Sequence, residues 1–108
     1  MKRGDLITVA LQGDFGKPRP ALVVQADAYG AHTSVTVLPV TSTRIDAPLL
    51  RVALAPSADN GLTRPSQVMI DKTMTVRQER LGEVIGHVTP DELLEIDRCL
   101  AVFLGIAR

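Results

Sequence analysis

Gly13-Asp14-Phe15-Gly16-Lys17-Pro18-Arg19-Pro20-Ala21-Leu22-Val23-Val24 sets two glycines, two prolines and two cations directly ahead of an unbroken apolar run. Residues 21–24 carry no alternation, so they read as a strand buried on both faces, ending at Gln25 and Asp27. The eight residues before them form a loop that begins supple and ends stiff. Glycine opens backbone angles closed to other residues, and proline fixes its own, so Arg19 is held between two rigid rings. An arginine so placed suits phosphate. A solvated hairpin loop with a surface arginine is the competing reading of the same residues.

Short strands continue on both sides of this stretch. Residues 4–11 alternate, with Ile7, Val9 and Leu11 on one face and Thr8 and Ala10 on the other, as in a strand with one face on a core. Gly30 helps turn the chain over residues 28–33. Val35, Val37 and Val40 predict a third strand, which Pro39 confines to a sheet edge or brings to its end, because proline lacks a ladder donor. Leu50, Val52 and Leu54 mark a fourth, and a turn-rich stretch over residues 56–65 with Asn60-Gly61 follows. Residues 66–71 predict a fifth strand with Val68 and Ile70 facing one way and Gln67, Met69 and Asp71 the other. Residues 80–88 are a sixth candidate.

Thr89-Pro90-Asp91-Glu92 predicts the start of the one long helix. Thr89 fits the N-cap, Pro90 the first helical position, and Glu92 completes a capping box. Leu93, Ile96, Leu100 and Phe103 recur at helical spacing, and Gly105 is a stop signal. Many short strands closed by one terminal helix predict a mainly β fold, a small, strongly bent antiparallel sheet or barrel. At 108 residues the chain is read as one domain over residues 1–108.

Composition narrows the function. The chain has three aromatic residues and no tryptophan, which argues against a module that stacks bases on several rings. Net charge is zero, but residues 1–77 carry nine Lys/Arg against six Asp/Glu, and residues 78–108 carry three against six. No apolar run approaches the roughly 18 residues of a membrane span, and the single cysteine, Cys99, falls in the helical pattern as a small core residue. The expected compartment is the cytoplasm. The aspartates of the first 77 residues show no metal-ligand spacing, and no HExxH, CxxC or P-loop pattern occurs, so neither metal nor cofactor is expected. Asp14-Phe15-Gly16 matches the kinase Mg²⁺ triplet without any of its partners. His32 and His87 are read as structural.

Polar residues instead collect at strand ends: Lys17 and Arg19, then Thr41, Ser42 and Arg44, then Gln67, Asp71 and Lys72. Arginine offers a permanently charged bidentate clamp for phosphate, hydroxyls add neutral donors, and Asp71 can accept a proton. Those parts suit cleavage of RNA by its own 2′-hydroxyl, where the protein stabilises a crowded phosphorane and moves two protons.

Arg3-Gly4-Asp5, Gly16-Lys17-Pro18-Arg19-Pro20-Ala21-Leu22-Val23-Val24, Pro39-Val40-Thr41-Ser42, Asn60-Gly61-Leu62 and Ser66-Gln67-Val68-Met69-Ile70-Asp71-Lys72 occur in that order, and together they resemble the MazF/PemK family of toxin endoribonucleases. The resemblance runs nearly end to end. It implies an SH3-like barrel with a terminal helix, a homodimer, and metal-independent cutting of single-stranded RNA to 2′,3′-cyclic phosphate and 5′-hydroxyl ends. It also implies an antitoxin whose tail occupies the RNA groove and through which the complex reaches operator DNA. Carried over, Arg19 clamps the scissile phosphate and Thr41 donates to a non-bridging oxygen. Asp71 completes the catalytic set, with Lys17, Ser42, Arg44, Gln67 and Lys72 binding RNA. Residues 13–16 then become a mobile cover over the groove. Some members pair an arginine with the aspartate two positions on; here Met69 stands in the arginine's place. Lys72 points away from Asp71 if the strand is regular. Two other readings remain: a gyrase-binding toxin of the CcdB type, and a relative that has lost cleavage.

Overall fold

The structure is a computed structural model and describes residues 1–10 and 17–108. Among the described residues seven strands and one long helix follow in the order β1 (Asp5–Ala10), β2 (Pro18–Val23), β3 (Ser34–Thr41), β4 (Arg51–Leu54), β5 (Ser66–Met69), β6 (Met74–Arg77), β7 (Leu81–His87) and α1 (Pro90–Phe103). They pair antiparallel in the order β4-β5-β3-β2-β1-β7, with β6 joined to β3. Among the described residues no pairing joins β4 to β7. The expected bent antiparallel sheet with a terminal helix is therefore present, but as an open sheet and not a closed barrel.

Successive residues of the central strands feed two cores on opposite faces. Leu6, Leu22, Leu38 and Val40 pack with Val52, Leu54, Val68 and Ile70 under Ile96 and Cys99 of α1. Ile7, Val9, Ala21, Val23, Val35, Val37 and Val76 form the second core. Residues 21–24 are buried on both faces, as their unbroken apolar run predicts. Strand β1 differs from its expectation: Leu6 is fully buried opposite Ile7 and Val9, so this strand too is covered on both sides.

Pro39 does not place β3 at an edge. That strand is the centre of the sheet, paired with β2 on one side and with both β6 and β5 on the other. The pairing with β6 ends at Val37 and the pairing with β5 begins at Val40. Proline falls in the gap where β3 exchanges partners, a place that asks for no ladder donor.

Helix α1 starts as its sequence predicts. The Glu92 amide donates to Thr89 Oγ1 at 3.1 Å and the Thr89 amide to Glu92 Oε1 at 2.8 Å, closing both halves of the capping box. At its end Gly105 takes φ +77°, the left-handed stop. Phe103 departs from expectation: it is 46% exposed, and Ile96 and Cys99 are the buried residues of the helix. Bidentate hydrogen bonds from Arg3 to Asp97 tie the helix back to the entry of β1.

Candidate functional site

The third-strand exchange point and the stiff end of the first loop open onto one groove of about 660 Å³. Pairing of Val9 with Arg19 and of Ala21 with Pro39 sets the residues of β1, β2 and β3 side by side. The groove takes Lys17, Arg19 and Pro20 from β2 and its approach, and Thr41, Ser42 and Thr43 from the end of β3. Thr63 and Arg64 come from the connection between β4 and β5, and Ser66 and Met69 from β5 itself. Among the described residues that line it there are three cations, five hydroxyls and no carboxylate. In a chain of zero net charge this is a local positive site with neutral donors around it, the surroundings an anionic phosphate favours.

The Thr41 side chain is oriented by its own turn: Thr41 Oγ1 accepts from the Thr43 amide at 3.1 Å. That bond occupies a lone pair and leaves the hydroxyl proton to donate. The connection that carries Arg64 is built on Asn60, which is 2% exposed. Its Oδ1 accepts from the amides of Ser57 and Leu62 at 3.0 and 2.9 Å, and its Nδ2 donates to the Ala55 carbonyl at 2.8 Å. Gly61 has φ +69°, and a Cβ there would lie 2.1 Å from the Ile85 carbonyl oxygen. A Cβ on Gly86 would meet the Asp59 carbonyl oxygen at 2.3 Å. Glycine at both positions lets the connection press against β7.

Of the eight site residues expected from the sequence, Lys17, Arg19, Thr41 and Ser42 meet in the groove. Arg44, Gln67, Asp71 and Lys72 are not among its lining residues. Gln67 is engaged at both ends of its amide, donating to the Ile45 carbonyl at 2.9 Å and accepting from the Ile45 amide at 3.1 Å. Asp71 forms an ion pair with Arg51, and both side chains are mostly buried. The register of β4 on β5 brings the partner within reach: Arg51 lies directly opposite Met69, the last residue of the strand, and Asp71 follows in the turn just after it. Burial alone would raise the Asp71 carboxyl; the hydrogen bond and charge of Arg51, its own backbone amide and Lys72 outweigh that and hold it below the ordinary carboxylate value.

Lys72 corrects an expectation. Its Nζ lies 3.6 Å from Asp71 Oδ2, where a regular strand would separate the two. Strand β5 stops at Met69 and residues Ile70–Lys72 form a single 3-10 turn, which brings the neighbours together. The cover expected over residues 13–16 lies outside the described residues, as do Leu11, Asp14 and Phe15.

Residues 2–104 match the PemK-like, MazF-like toxins of type II toxin-antitoxin systems. This chain belongs to the PemK/MazF toxin family. A probable endoribonuclease MazF of Mycolicibacterium smegmatis is 45% identical over 108 residues, covering 99% of both chains. A mycobacterial endoribonuclease solved in complex with its cognate antitoxin superposes with a TM-score of 0.85 at 29% identity, over 100% of this chain and 98% of that one. MazF in a MazE–MazF crystal structure from Deinococcus radiodurans gives 0.82 at 27% identity, over 99% and 97%. The PemK/MazF membership covers the full length of the sheet and helix, so the groove lies within the matched fold.

Thr63, Arg64 and Ser66 of the groove were not among the site residues expected from the sequence. One signal for them was present: Arg64-Pro65 repeats the arginine–proline pair of Arg19-Pro20.

Proposed function

We propose that this chain is an endoribonuclease toxin that cuts single-stranded RNA without a metal, using the RNA's own 2′-hydroxyl. The observation that carries the reading is a groove with three cations, five hydroxyls and no carboxylate among its described lining residues, in a chain similar along its whole length to a MazF endoribonuclease. In the reaction the 2′-oxygen forms a bond to phosphorus as the bond to the 5′-oxygen breaks. The 2′-hydroxyl loses a proton and the departing 5′-oxygen gains one, leaving a 2′,3′-cyclic phosphate and a 5′-hydroxyl. Arg19 clamps the phosphate through its fixed pair of donors, and Thr41 donates its hydroxyl proton to a non-bridging oxygen as charge builds there. Lys17 and Ser42 hold the strand.

Asp71 is given no proton-transfer step, since it stands in the ion pair with Arg51 and not along the groove. The working form is a homodimer, inhibited by a cognate antitoxin that also carries the complex to operator DNA. The MazF relatives solved with an antitoxin support that partner. Cutting messenger RNA in the cytoplasm stops translation and growth. The gyrase-binding alternative draws on the terminal helix, whereas the cations and hydroxyls gather at the groove.

The test is incubation of the purified protein with a long RNA in EDTA, followed by mapping of new ends. Cuts at a recurring short word, with 5′ ends that a kinase labels without prior phosphatase, are expected. A diverse RNA pool left uncut would overturn the reading.

A further inference from the structure

Arg64 stands on the groove wall at the end of a connection that the fold holds in one shape. Asn60 bonds three backbone groups across residues 55–62, and the Asp59 carbonyl accepts from the His87 amide at 2.9 Å, anchoring that end to β7. The Arg64 carbonyl itself accepts from Ser66 Oγ at 2.8 Å, and Pro65 restricts the backbone between them. The backbone is thus fixed while the side chain is exposed. Arg3, Arg51, Arg77 and Arg98 each lean on a carboxylate, at Asp97, Asp71, Glu79 and Glu95 respectively. Among the described residues the Arg64 guanidinium has no such partner, and no carboxylate lines its groove.

A cation on a fixed backbone, lining a groove with no carboxylate among its described residues, adds no cost of backbone ordering when an anion arrives. Arg19 lines the same groove from β2, and one phosphate does not call for two arginines on separate elements when a strand presents a phosphate at every nucleotide. We propose that Arg64 is a second phosphate-binding residue, gripping the phosphate next to the scissile one and so setting where the strand lies relative to Arg19 and Thr41. This rests on the ribonuclease reading. Arg64 contributes affinity and position; the reacting phosphate stays with Arg19.

The experiment first maps the word cut by the wild-type protein, then measures binding of a fluorescent 2′-O-methyl oligonucleotide bearing that word, which lacks the attacking hydroxyl. Affinity is followed from about 50 to 300 mM salt for the wild type, Arg64→Ala and Arg64→Lys. For a single strand each phosphate contact adds about 0.7 to the log–log salt slope. The expected result is a slope lower by about 0.7 for Arg64→Ala and close to wild type for Arg64→Lys, with the cleavage loss of Arg64→Ala falling mainly on KM. Unchanged thermal melting of both variants excludes misfolding, since the side chain is exposed. A wild-type slope in Arg64→Ala, while the wild-type protein cuts, overturns the inference alone. So does the same slope with weakened antitoxin binding, which would assign Arg64 to protein carboxylates. Failure of the wild-type protein to cut overturns the ribonuclease reading, and this inference with it.

Discussion

Arg19 and Thr41 make different demands on their surroundings, and the difference predicts how each substitution behaves. Arg19→Ala removes the phosphate clamp from a strand end without opening a core, so the fold should survive and cleavage should be lost. Residual activity near wild type in an RNA-cleavage assay would refute the clamp. Thr41→Val keeps the shape and deletes the donor, for an expected fall in rate of about tenfold to a hundredfold, the scale of one well-placed transition-state donor. Thr41→Ser should restore most of that rate, because the hydroxyl and its bond from Thr43 are retained. An unchanged rate in Thr41→Val would remove Thr41 from the mechanism. Asp71 carries a prediction in pH. Its carboxyl is held below its ordinary value in the folded protein, so the stability it contributes is present above the unfolded value near 3.9 and is lost as pH falls through the folded value. Arg51→Met should move the Asp71 midpoint upward, read by carboxyl NMR titration. A midpoint unmoved by that change would show that Arg51 is not what holds the carboxylate ionised.

Among the elements, α1 and the connection between β4 and β5 differ in how local their causes are. The cap of α1 is written in four consecutive residues, and both of its bonds form. Thr89→Ala should therefore cost about 1 kcal/mol in denaturant unfolding, and an unchanged stability would mean the cap is replaced by solvent at no cost. The connection was legible as turn-rich over residues 56–65, with Asn60-Gly61 within it, but its rigidity was not. Asn60 is buried, and Gly86, far away in sequence, supplies the space that Asp59 and Asn60 fill. Gly86→Ala puts a methyl within 2.3 Å of the Asp59 carbonyl oxygen, against backbone that cannot swing aside. It should lower the melting temperature and weaken RNA binding together, since the displaced segment presents Arg64. Unaltered melting would show that the segment moves freely. Strand β6 was missed because Met74–Arg77 is short and finds its partner only in the part of β3 that β5 does not reach.

In the whole molecule, the sheet's two faces carry separate cores, and only one of them is covered by α1. The end of that helix leaves Val102, Phe103, Leu104 and Ile106 between 44% and 78% exposed, so a single chain keeps apolar surface in water there. The proposed homodimer should sediment at twice the 11.6 kDa of the chain. A monomer at micromolar concentration would contradict it.

The residue pattern determined by itself what depends on neighbours in sequence: the doubly buried strand at residues 21–24, the helix start at Thr89, its stop at Gly105, and a stiffened arginine at position 19. These follow from backbone preference and from apolar spacing, which act over a few residues. Tertiary structure decided what depends on which strands meet. It put Pro39 in the middle of the sheet, at the gap between two partners. It turned Asp71 toward Arg51, because β4 lies in register with β5. It brought Arg64 to the groove that β2 also lines, because Asn60 and Gly86 lock a distant segment onto β7. Pairing partners and register are set by the burial of whole strands at once, and no local stretch of sequence carries that information.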